Sequence, residues 1–222
     1  MNILLTGANG FIGHNIAAAL TAAGHQITPA SRSNGIDFRH MLAPADWLPH
    51  LEGIDAVINS VGIIGESGSQ CFGTLHTLAP SALFLACTQA NVRRVLQVSA
   101  LGADETAFSA YHLSKRMADD CLRSLDLDWF VLRPSLIYGR GSKSADLFMR
   151  LAALPRIPVI GDGRQALQPV HISDVVATVM HSLTSSKVRQ TLDIVGTETI
   201  TFAKWLQTMR QAQGLPHARL FH

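Results

Sequence analysis

The sequence is poor in charged residues and has no run of basic side chains. Asp, Glu, Lys and Arg together make up only 15% of the 222 residues, and the formal net charge is +2. Because a nucleic-acid surface needs clustered Lys and Arg, this composition argues against nucleic acid as a partner. Hydrophobic residues make up 47% of the chain, which excludes disorder and allows one large buried core.

Cysteine, paired histidines and long apolar runs are also scarce. The three cysteines, Cys71, Cys87 and Cys121, lack metal-type spacing, so we expect buried free thiols in a reducing compartment, the cytoplasm. The ten histidines are scattered, and no metal site is predicted. No run of about 18 apolar residues is present, so no membrane span is expected. The chain starts directly with a strand-like run, and we expect no signal peptide.

The stretch Thr6–Gly13 is the most informative part of the sequence. It follows a short apolar run and opens an Ala-rich amphipathic run over Phe11–Ala23, which is the order strand, glycine turn, helix. Gly7 would permit the tight turn, Gly10 would let a pyrophosphate approach, and Gly13 would let the helix pack on the strand. The helix N-terminus would then face the phosphates. The alternative is a strand-to-helix turn that merely needs glycines.

This stretch resembles the TGxxGxxG fingerprint of short-chain dehydrogenase/reductases, in particular their extended and atypical branches. The resemblance implies an α/β fold of Rossmann type, with a doubly wound parallel sheet that binds NAD or NADP. It also implies a set of cofactor contacts at the turn: Gly7, Asn9, Gly10, Phe11, Ile12 and Gly13.

The end of the second predicted strand favours NADP over NAD. Sites for NAD usually place an acid about twenty residues after the glycines, to hold the ribose 2′-hydroxyl. Here the residues over 30–33 include no acid, and Ser31 and Arg32 suit a 2′-phosphate instead. The alternative is that Arg32 is a solvated loop residue.

Two further segments are expected to line the cofactor. Ile36–Phe38 is predicted as a short third strand, and the resemblance places Asp37 and Phe38 at the adenine. The alternative makes Asp37 a cap or turn residue. Asp55–Gly62 predicts a buried parallel strand and its exit. The resemblance carries that exit past the nicotinamide-side ribose and the pyrophosphate, at Ser60, Val61 and Gly62.

Tyr111 and Lys115 are the predicted catalytic pair. They lie four residues apart after the predicted strand Arg94–Val98, so a helix would present both on one face. A cationic Lys115 would lower the pKa of Tyr111, and the phenol could then exchange a proton with a carbonyl or alcohol oxygen. Lys115 could also hold the nicotinamide ribose. The spacing matches the YxxxK active-site motif of the same family.

One departure from the family pattern weakens the catalytic interpretation. Extended members usually have two hydroxyl residues after this strand, and this chain has Ser99 followed by Ala100. Ser99 is therefore the remaining candidate for a catalytic hydroxyl. The departure resembles the atypical branch related to a complex I accessory subunit, whose members often bind NADPH without a demonstrated reaction. His76 lies roughly where the family often has an Asn in its proton relay; the alternative is a polar helix residue.

The last third of the chain is predicted to form a small substrate cap. Residues 133–139 resemble the RPxxxYG signature of the same branch, which would place Pro134 and Ser135 beside the nicotinamide. We divide the chain into a Rossmann core over 1–140 and a cap over 141–222 that returns strands to the core sheet. Family members usually continue further, so the cap is either unusually small or truncated.

Three functions follow as expectations. The first is an NADP-dependent oxidoreductase acting on an unknown small carbonyl or alcohol, with Tyr111 as acid and base. The second is a non-catalytic NADP(H)-binding regulatory or assembly module, which Ala100 favours. The third is a nucleotide-sugar epimerase or dehydratase, which would need a larger cap. A homodimer is compatible with each of them.

Overall fold

A computed structural model describes residues 1–221, which form an α/β protein. Its strands are β1 (Asn2–Thr6), β2 (Gln26–Ala30), β3 (Ala56–Asn59), β4 (Arg94–Val98), β5 (Asp128–Pro134), β6 (Ile137–Tyr138), β7 (Arg156–Pro158), β8 (Ala166–Leu167), β9 (Val170–His171), β10 (Gln190–Ile194), β11 (Ile200–Thr201) and β12 (Arg219–Phe221). Its α-helices are α1 (Phe11–Ala22), α2 (Pro44–Trp47), α3 (Ala79–Gln89), α4 (Ala110–Arg123), α5 (Lys143–Ala153), α6 (Ile172–Thr184) and α7 (Phe202–Ala212). Tighter or wider helical turns cover Arg32–Asn34, Leu48–His50 and Gly73–Leu78.

The central sheet has six parallel strands in the order β10-β5-β4-β3-β1-β2. The chain leaves β1 toward β2 at one edge, then crosses back to β3 and builds the sheet in the other direction. The strand order therefore reverses at β1 and β3, and a crevice forms outside their carboxyl ends at such a point. The predicted doubly wound Rossmann fold is confirmed.

The four inner strands, β1, β3, β4 and β5, are buried on both faces, as is typical of parallel strands. Successive side chains of a strand point to opposite faces, and both sets are fully buried in the inner strands. One face packs with α2, α3 and α4 in a single apolar cluster that includes Leu4, Val57, Val95 and Val131. The alternate positions Ile3, Leu5, Ile58 and Leu96 are 0% exposed as well.

The third strand predicted over Ile36–Phe38 does not form, and that prediction was wrong. Gly35 adopts a left-handed conformation with φ of 80°, and the Asp37 carboxylate accepts the backbone N–H of Arg39 at 3.0 Å. This local turn chemistry bends the chain before it can extend. Strand β2 is consequently an edge of the sheet, where the missing N–H of Pro29 is tolerated.

The chain divides into two compact units. The first contains residues Met1–Pro134 and Ser173–Ile194, and the second contains Ser135–Ile172 and the described residues from Val195 onward. The second unit holds three small two-stranded sheets, β6 with β9, β7 with β12, and β8 with β11. The chain returns to the central sheet through β10. The domain boundary at residue 140 stays a prediction.

The cysteines and the hydropathy of the helices are the subject of two further expectations. Cys87 is buried in α3 and Cys121 is partly buried in α4, but Cys71 is exposed and precedes the turn Gly73–Leu78 rather than lying inside a helix. The expectation of buried thiols was therefore wrong for Cys71. Over residues 1–221, no helix combines the length and the hydropathy that crossing a bilayer requires.

Candidate nucleotide and catalytic site

The glycine turn between β1 and α1 leaves no room for side chains at two of its positions. Gly7 has a φ of +69°, and a Cβ there would lie 3.0 Å from the Ser60 backbone. A Cβ on Gly13 would lie 2.2 Å from the Gly7 carbonyl oxygen. At Gly10 the nearest atom would be 3.2 Å away, so crowding by the protein is milder there. The bare backbone at this turn fits a ligand that approaches it closely.

The start of α1 is open to an anion. Its N-cap residue, Gly10, provides no side-chain hydrogen bond, and the first turn of the helix contains no acidic residue. The first N–H groups of a helix lack intrahelical partners, and the helix dipole makes this end positive. Phe11 and Ile12 begin the helix at this end, as the sequence predicts. These features suit a pyrophosphate.

A cluster of hydroxyl and amide side chains joins the glycine turn to the end of β2. Asn9 Nδ2 donates to Ser33 Oγ at 2.9 Å and to Ser31 Oγ at 3.2 Å. Ser31 Oγ in turn donates to Asn34 Oδ1 at 2.7 Å. Arg32 is exposed, and within residues 1–221 its guanidinium forms no hydrogen bond or ion pair. The cluster contains no carboxylate that would repel a phosphate.

Asp37 is held as an ionised carboxylate by its neighbour Arg39. Arg39 Nε donates to both carboxylate oxygens at 3.1 and 3.0 Å, and Nη2 donates to Oδ2 at 2.5 Å. This pairing lowers the pKa of Asp37 to about 2. The turn role that the sequence left open for Asp37 is therefore present. The contact of Asp37 and Phe38 with an adenine stays a prediction.

Helix α4 presents Tyr111 and Lys115 beside the exits of two strands. Lys115 is only 4% exposed, and its Nζ donates to the carbonyl oxygens of Val61 and Val98, each at 3.2 Å. A Cβ added to Gly62 would lie 3.1 Å from that nitrogen. Ser60 donates its hydroxyl to the Thr6 carbonyl at 2.6 Å, which ties the β3 exit to β1. The structure thus brings the predicted residues Ser60, Val61, Gly62 and Lys115 together.

The phenol of Tyr111 does not have the lowered pKa that the sequence predicts. Burial raises the pKa of Tyr111. The Lys115 ammonium donates to two backbone carbonyls and not to the phenol. The Tyr111 ring packs edge-on against Phe72 at 5.8 Å and against His76 at 5.4 Å between ring centroids. The phenol is therefore a protonated group fixed in an aromatic cluster.

His76 belongs to this cluster and is fully buried. Its Nε2 accepts the backbone N–H of Ile63 at 3.0 Å, and its Nδ1 lies 3.0 Å from Ser114 Oγ. Because Ser114 Oγ donates to the Tyr111 carbonyl at 2.7 Å, the network assigns the ring proton to Nδ1. Burial, with a contribution from the Lys115 charge, lowers the pKa of His76 to about 3. The imidazole is neutral and orients its neighbours.

Acid is expected to destabilise the protein through His76. Its pKa is about 3 when folded and about 6.5 when unfolded. The unfolded chain therefore binds the extra proton first as the pH falls, and stability is lost below about pH 6.5. We expect the free energy of unfolding to fall by about 2 kcal/mol more between about pH 7 and about pH 5 in the wild type than in His76→Gln. Urea unfolding at both pH values measures this, and equal losses would contradict the assignment.

Ser99 is buried behind Lys115, where its hydroxyl meets a carboxylate. Ser99 Oγ donates to Asp119 Oδ2 at 2.5 Å, and Asp119 itself is 0% exposed. Asp119 is not among the site residues predicted from the sequence. Its spacing could have indicated it, because a residue four positions after Lys115 lies on the same helix face. The catalytic role of Ser99 stays a prediction.

Pro134 and Ser135 each have a partner within their own unit. Pro134 ends β5, and its carbonyl accepts the N–H of Leu101 at 2.9 Å in the first unit. In the second unit, Ser135 Oγ donates to the Gln168 carbonyl, and Gln168 Nε2 donates to the Gly196 carbonyl at 3.2 Å. Their contact with a nicotinamide stays a prediction.

Comparisons with known proteins agree with this architecture. The ceramide reductase of Caulobacter vibrioides is 27% identical over 190 residues, which cover 80% of this chain and 59% of that protein. The NADH dehydrogenase (ubiquinone) 1 alpha subcomplex subunit 9 of Mus musculus, a mitochondrial protein, is 26% identical over 193 residues, which cover 79% of this chain and 51% of that protein. The chain thus spans little more than half the length of these relatives.

A solved structure with a similar fold is that of a dTDP-4-dehydrorhamnose reductase ortholog from Clostridium acetobutylicum. Its TM-score is 0.85 at 17% identity, and the alignment covers 100% of this chain and 83% of that one. Among family models, that of the NAD dependent epimerase/dehydratase family matches residues 3–194. This match covers most of the chain, so the predicted resemblance to the extended short-chain dehydrogenases is confirmed. The chain belongs to the NAD dependent epimerase/dehydratase family.

Proposed function

We propose that this chain is an NADP-dependent oxidoreductase that acts on a small carbonyl or alcohol. The observation that carries the proposal is the placement of Tyr111 and Lys115 on one helix, with Lys115 Nζ joining the exits of β3 and β4. The glycine turn after β1 lies at the same switch point of the sheet. The glycine turn and the pair Tyr111 and Lys115 therefore lie at the same edge of the sheet within the first unit, as a hydride-transfer site requires.

Each residue of the proposed site has a distinct role. A bound nicotinamide would supply or accept the hydride. Tyr111, protonated at neutral pH, is the group to donate a proton to a carbonyl oxygen. Lys115 has three N–H donors, of which the carbonyls of Val61 and Val98 use two, and the third is available for a ribose hydroxyl. Neutral His76 fixes the Tyr111 backbone through Ser114.

NADP is proposed over NAD because of the residues at the end of β2. Within residues 1–221 the Arg32 guanidinium is unengaged, and it adjoins the hydroxyls of Ser31 and Ser33. A guanidinium with neighbouring hydroxyls matches a phosphate monoester, whereas a ribose 2′-hydroxyl is usually held by a carboxylate. Asn9 orders this cluster from the glycine turn.

Arg32→Ala is expected to weaken NADPH binding by about 10- to 100-fold and to leave NADH binding unchanged, since one charge-assisted hydrogen bond contributes about 1.5–3 kcal/mol. Titration with both nucleotides, followed by nicotinamide fluorescence, measures the two dissociation constants. Arg164→Ala is the matched control, because that side chain is 86% exposed on the second unit. An equal loss for both nucleotides, or none, would contradict the phosphate-binding role.

A non-catalytic NADP(H)-binding module is the second candidate. Ala100 supports it, because the second hydroxyl of the family pattern is absent there. The similarity to a subunit of a mitochondrial NADH dehydrogenase supports it as well, whereas the similarity to a ceramide reductase supports turnover. A nucleotide-sugar epimerase or dehydratase is a third and weaker candidate, because such substrates need a larger cap.

We also propose a cellular location and an oligomeric state for the protein. The three cysteines are free, and burial raises the pKa of Cys87 to about 12, which suits a reducing compartment such as the cytoplasm. Leu113 and Met117 of α4 are 42% and 60% exposed, which suits a homodimer through this helix. Analytical ultracentrifugation tests the dimer.

A further inference from the structure

Lys115 is a buried cation whose direct hydrogen-bond partners are both neutral. Its ammonium is directed at the backbone carbonyls of Val61 and Val98 and is 4% exposed. Carbonyl dipoles partly replace water, but a buried charge is retained only where an opposite charge lies near. Among the described residues, Asp119 is the acid whose charge acts on Lys115.

Asp119 is itself a buried acid, and no arginine among the described residues is bonded to it. It is 0% exposed, and the Ser99 hydroxyl donates to its Oδ2 at 2.5 Å. The Val98 carbonyl accepts a hydrogen bond from Lys115, and the hydroxyl of the next residue, Ser99, donates one to Asp119. Both charged side chains are therefore bonded at the end of β4. Lys115 and Asp119 are separated by one helical turn, which places their side chains on one face of α4.

We propose that Asp119 is the positioning residue that keeps Lys115 charged and in place, and that Ser99 acts by orienting Asp119 instead of touching a substrate. This inference rests on the proposed function, because it concerns the lysine that would hold the cofactor ribose. It also explains why a hydroxyl is present at position 99 although position 100 is Ala.

The same carboxylate ends a chain of buried polar side chains that begins at the glycine turn. Thr6 Oγ1 donates to Asn59 Oδ1 at 2.5 Å, and Asn59 Nδ2 donates to Gln97 Oε1 at 2.6 Å. Within the described chain, neither Gln97 Nε2 nor Asp119 Oδ1 forms a hydrogen bond. The Gln97 carboxamide is nevertheless close enough to lower the pKa of Asp119. Polar side chains of three parallel strands thus lead from the glycine turn to the surroundings of Asp119.

The charges around this pair have opposing effects. Burial lowers the pKa of Lys115, and the Asp119 charge raises it. Burial raises the pKa of Asp119, and Ser99, Lys115 and Arg123 lower it. His76 also lies near Lys115 but is neutral above its own pKa of about 3. The Lys115 and Asp119 charges therefore stabilise each other, although no direct salt bridge joins them within residues 1–221.

The titration of Lys115 tests the inference without any substrate. The chain has four lysines, and Lys143, Lys187 and Lys204 serve as internal references. In protein labelled with ¹³C at lysine Cε, we follow the four signals by NMR over the alkaline range. We expect Lys115 to titrate below the three references in the wild type.

Asp119→Asn keeps the shape and removes the charge, so the Lys115 midpoint should move down by at least one further pH unit. Ser99→Ala should move it in the same direction by less, and Asp119→Glu should restore it toward the wild-type value. An unchanged Lys115 midpoint in folded Asp119→Asn would overturn the proposal. If Asp119→Asn does not fold, the Ser99→Ala titration decides alone, and an unmoved midpoint there likewise overturns it.

Binding of NADPH to the same samples separates this inference from the proposed function. If wild-type protein binds no nucleotide but the Lys115 midpoint still moves in Asp119→Asn, the proposed function fails and the positioning role of Asp119 stands. If NADPH binds and the midpoint does not move, the positioning role of Asp119 fails and the proposed function stands. With both intact, NADPH affinity at neutral pH should fall about tenfold in Asp119→Asn and recover in Asp119→Glu.

Discussion

Gly13→Ala is expected to destabilise the protein by about 3 kcal/mol or more, since overpacking a rigid core commonly costs about 1–3 kcal/mol and this contact is severe. The added Cβ would lie 2.2 Å from the Gly7 oxygen, 2.7 Å from the Gly7 carbonyl carbon and 2.8 Å from Ser60 Oγ. Two of these atoms are backbone. Neither can move without separating β1 from α1.

The Gly7 peptide is fixed from several sides. Its N–H donates to the Ala30 carbonyl at 3.1 Å, and its oxygen accepts the Gly10 N–H at 2.9 Å. Relief of the clash must therefore either break the turn or push α1 away from the sheet. Both outcomes also displace the helix N-terminus, so we expect nucleotide affinity to fall together with stability.

Urea unfolding of Gly13→Ala beside Gly73→Ala measures this effect. Gly73 is the matched control, because a Cβ there meets no atom within 4 Å and its φ is not in the left-handed region. Gly73→Ala should be as stable as the wild type or slightly more stable, because alanine favours a helical turn and restricts the unfolded chain. If the two variants are equally stable, the close packing of α1 on β1 is not as described.

The features that the sequence predicts well are those set by local sterics. Gly7 and Gly13 occupy positions where a side chain does not fit, so the turn can be predicted from a few residues. The apolar runs of β1, β3 and β4 predict buried parallel strands in the same way. The fold follows once such strands alternate with helices along the chain.

The strand expected over Ile36–Phe38 fails because side chains of the same segment compete with the sheet. Asp37 accepts hydrogen bonds from Arg39, and that turn satisfies the backbone locally. Ile36 and Phe38 are buried as the apolar pattern indicates, but against helices in the apolar cluster. Three residues of alternation cannot distinguish these outcomes.

His76 and Asp119 show a second limit, because their environment comes from distant segments. His76 receives its hydrogen bond from Ile63 and contacts α4 through Ser114. Asp119 is fully buried and accepts a hydrogen bond from Ser99, which directly follows β4. Burial of a polar group depends on what packs over it, and no local pattern encodes that. The pKa of Tyr111 differs from the sequence prediction for the same reason, because burial raises it.

Tyr111→Phe is expected to reduce NADPH-dependent carbonyl reduction by about 10²- to 10⁴-fold, the usual contribution of a positioned general acid. The phenylalanine ring keeps the packing of Tyr111 against Phe72 and His76, so folding and NADPH affinity should be unchanged. A panel of ketones of increasing chain length, followed by the loss of NADPH absorbance, finds a substrate and then measures the variant.

The chain has two tyrosines, which makes Tyr138→Phe a matched control. Tyr138 belongs to the second unit and packs against His171 and Trp205 there. Equal activity of Tyr111→Phe and the wild type on a substrate that turns over would remove the phenol from the mechanism. If the wild type binds NADPH tightly and reduces no ketone of the panel, the missing hydroxyl at Ala100 becomes the decisive feature. The non-catalytic module is then the better description, because a folded site with a bound cofactor and a fixed phenol would still lack the second group that polarises a carbonyl.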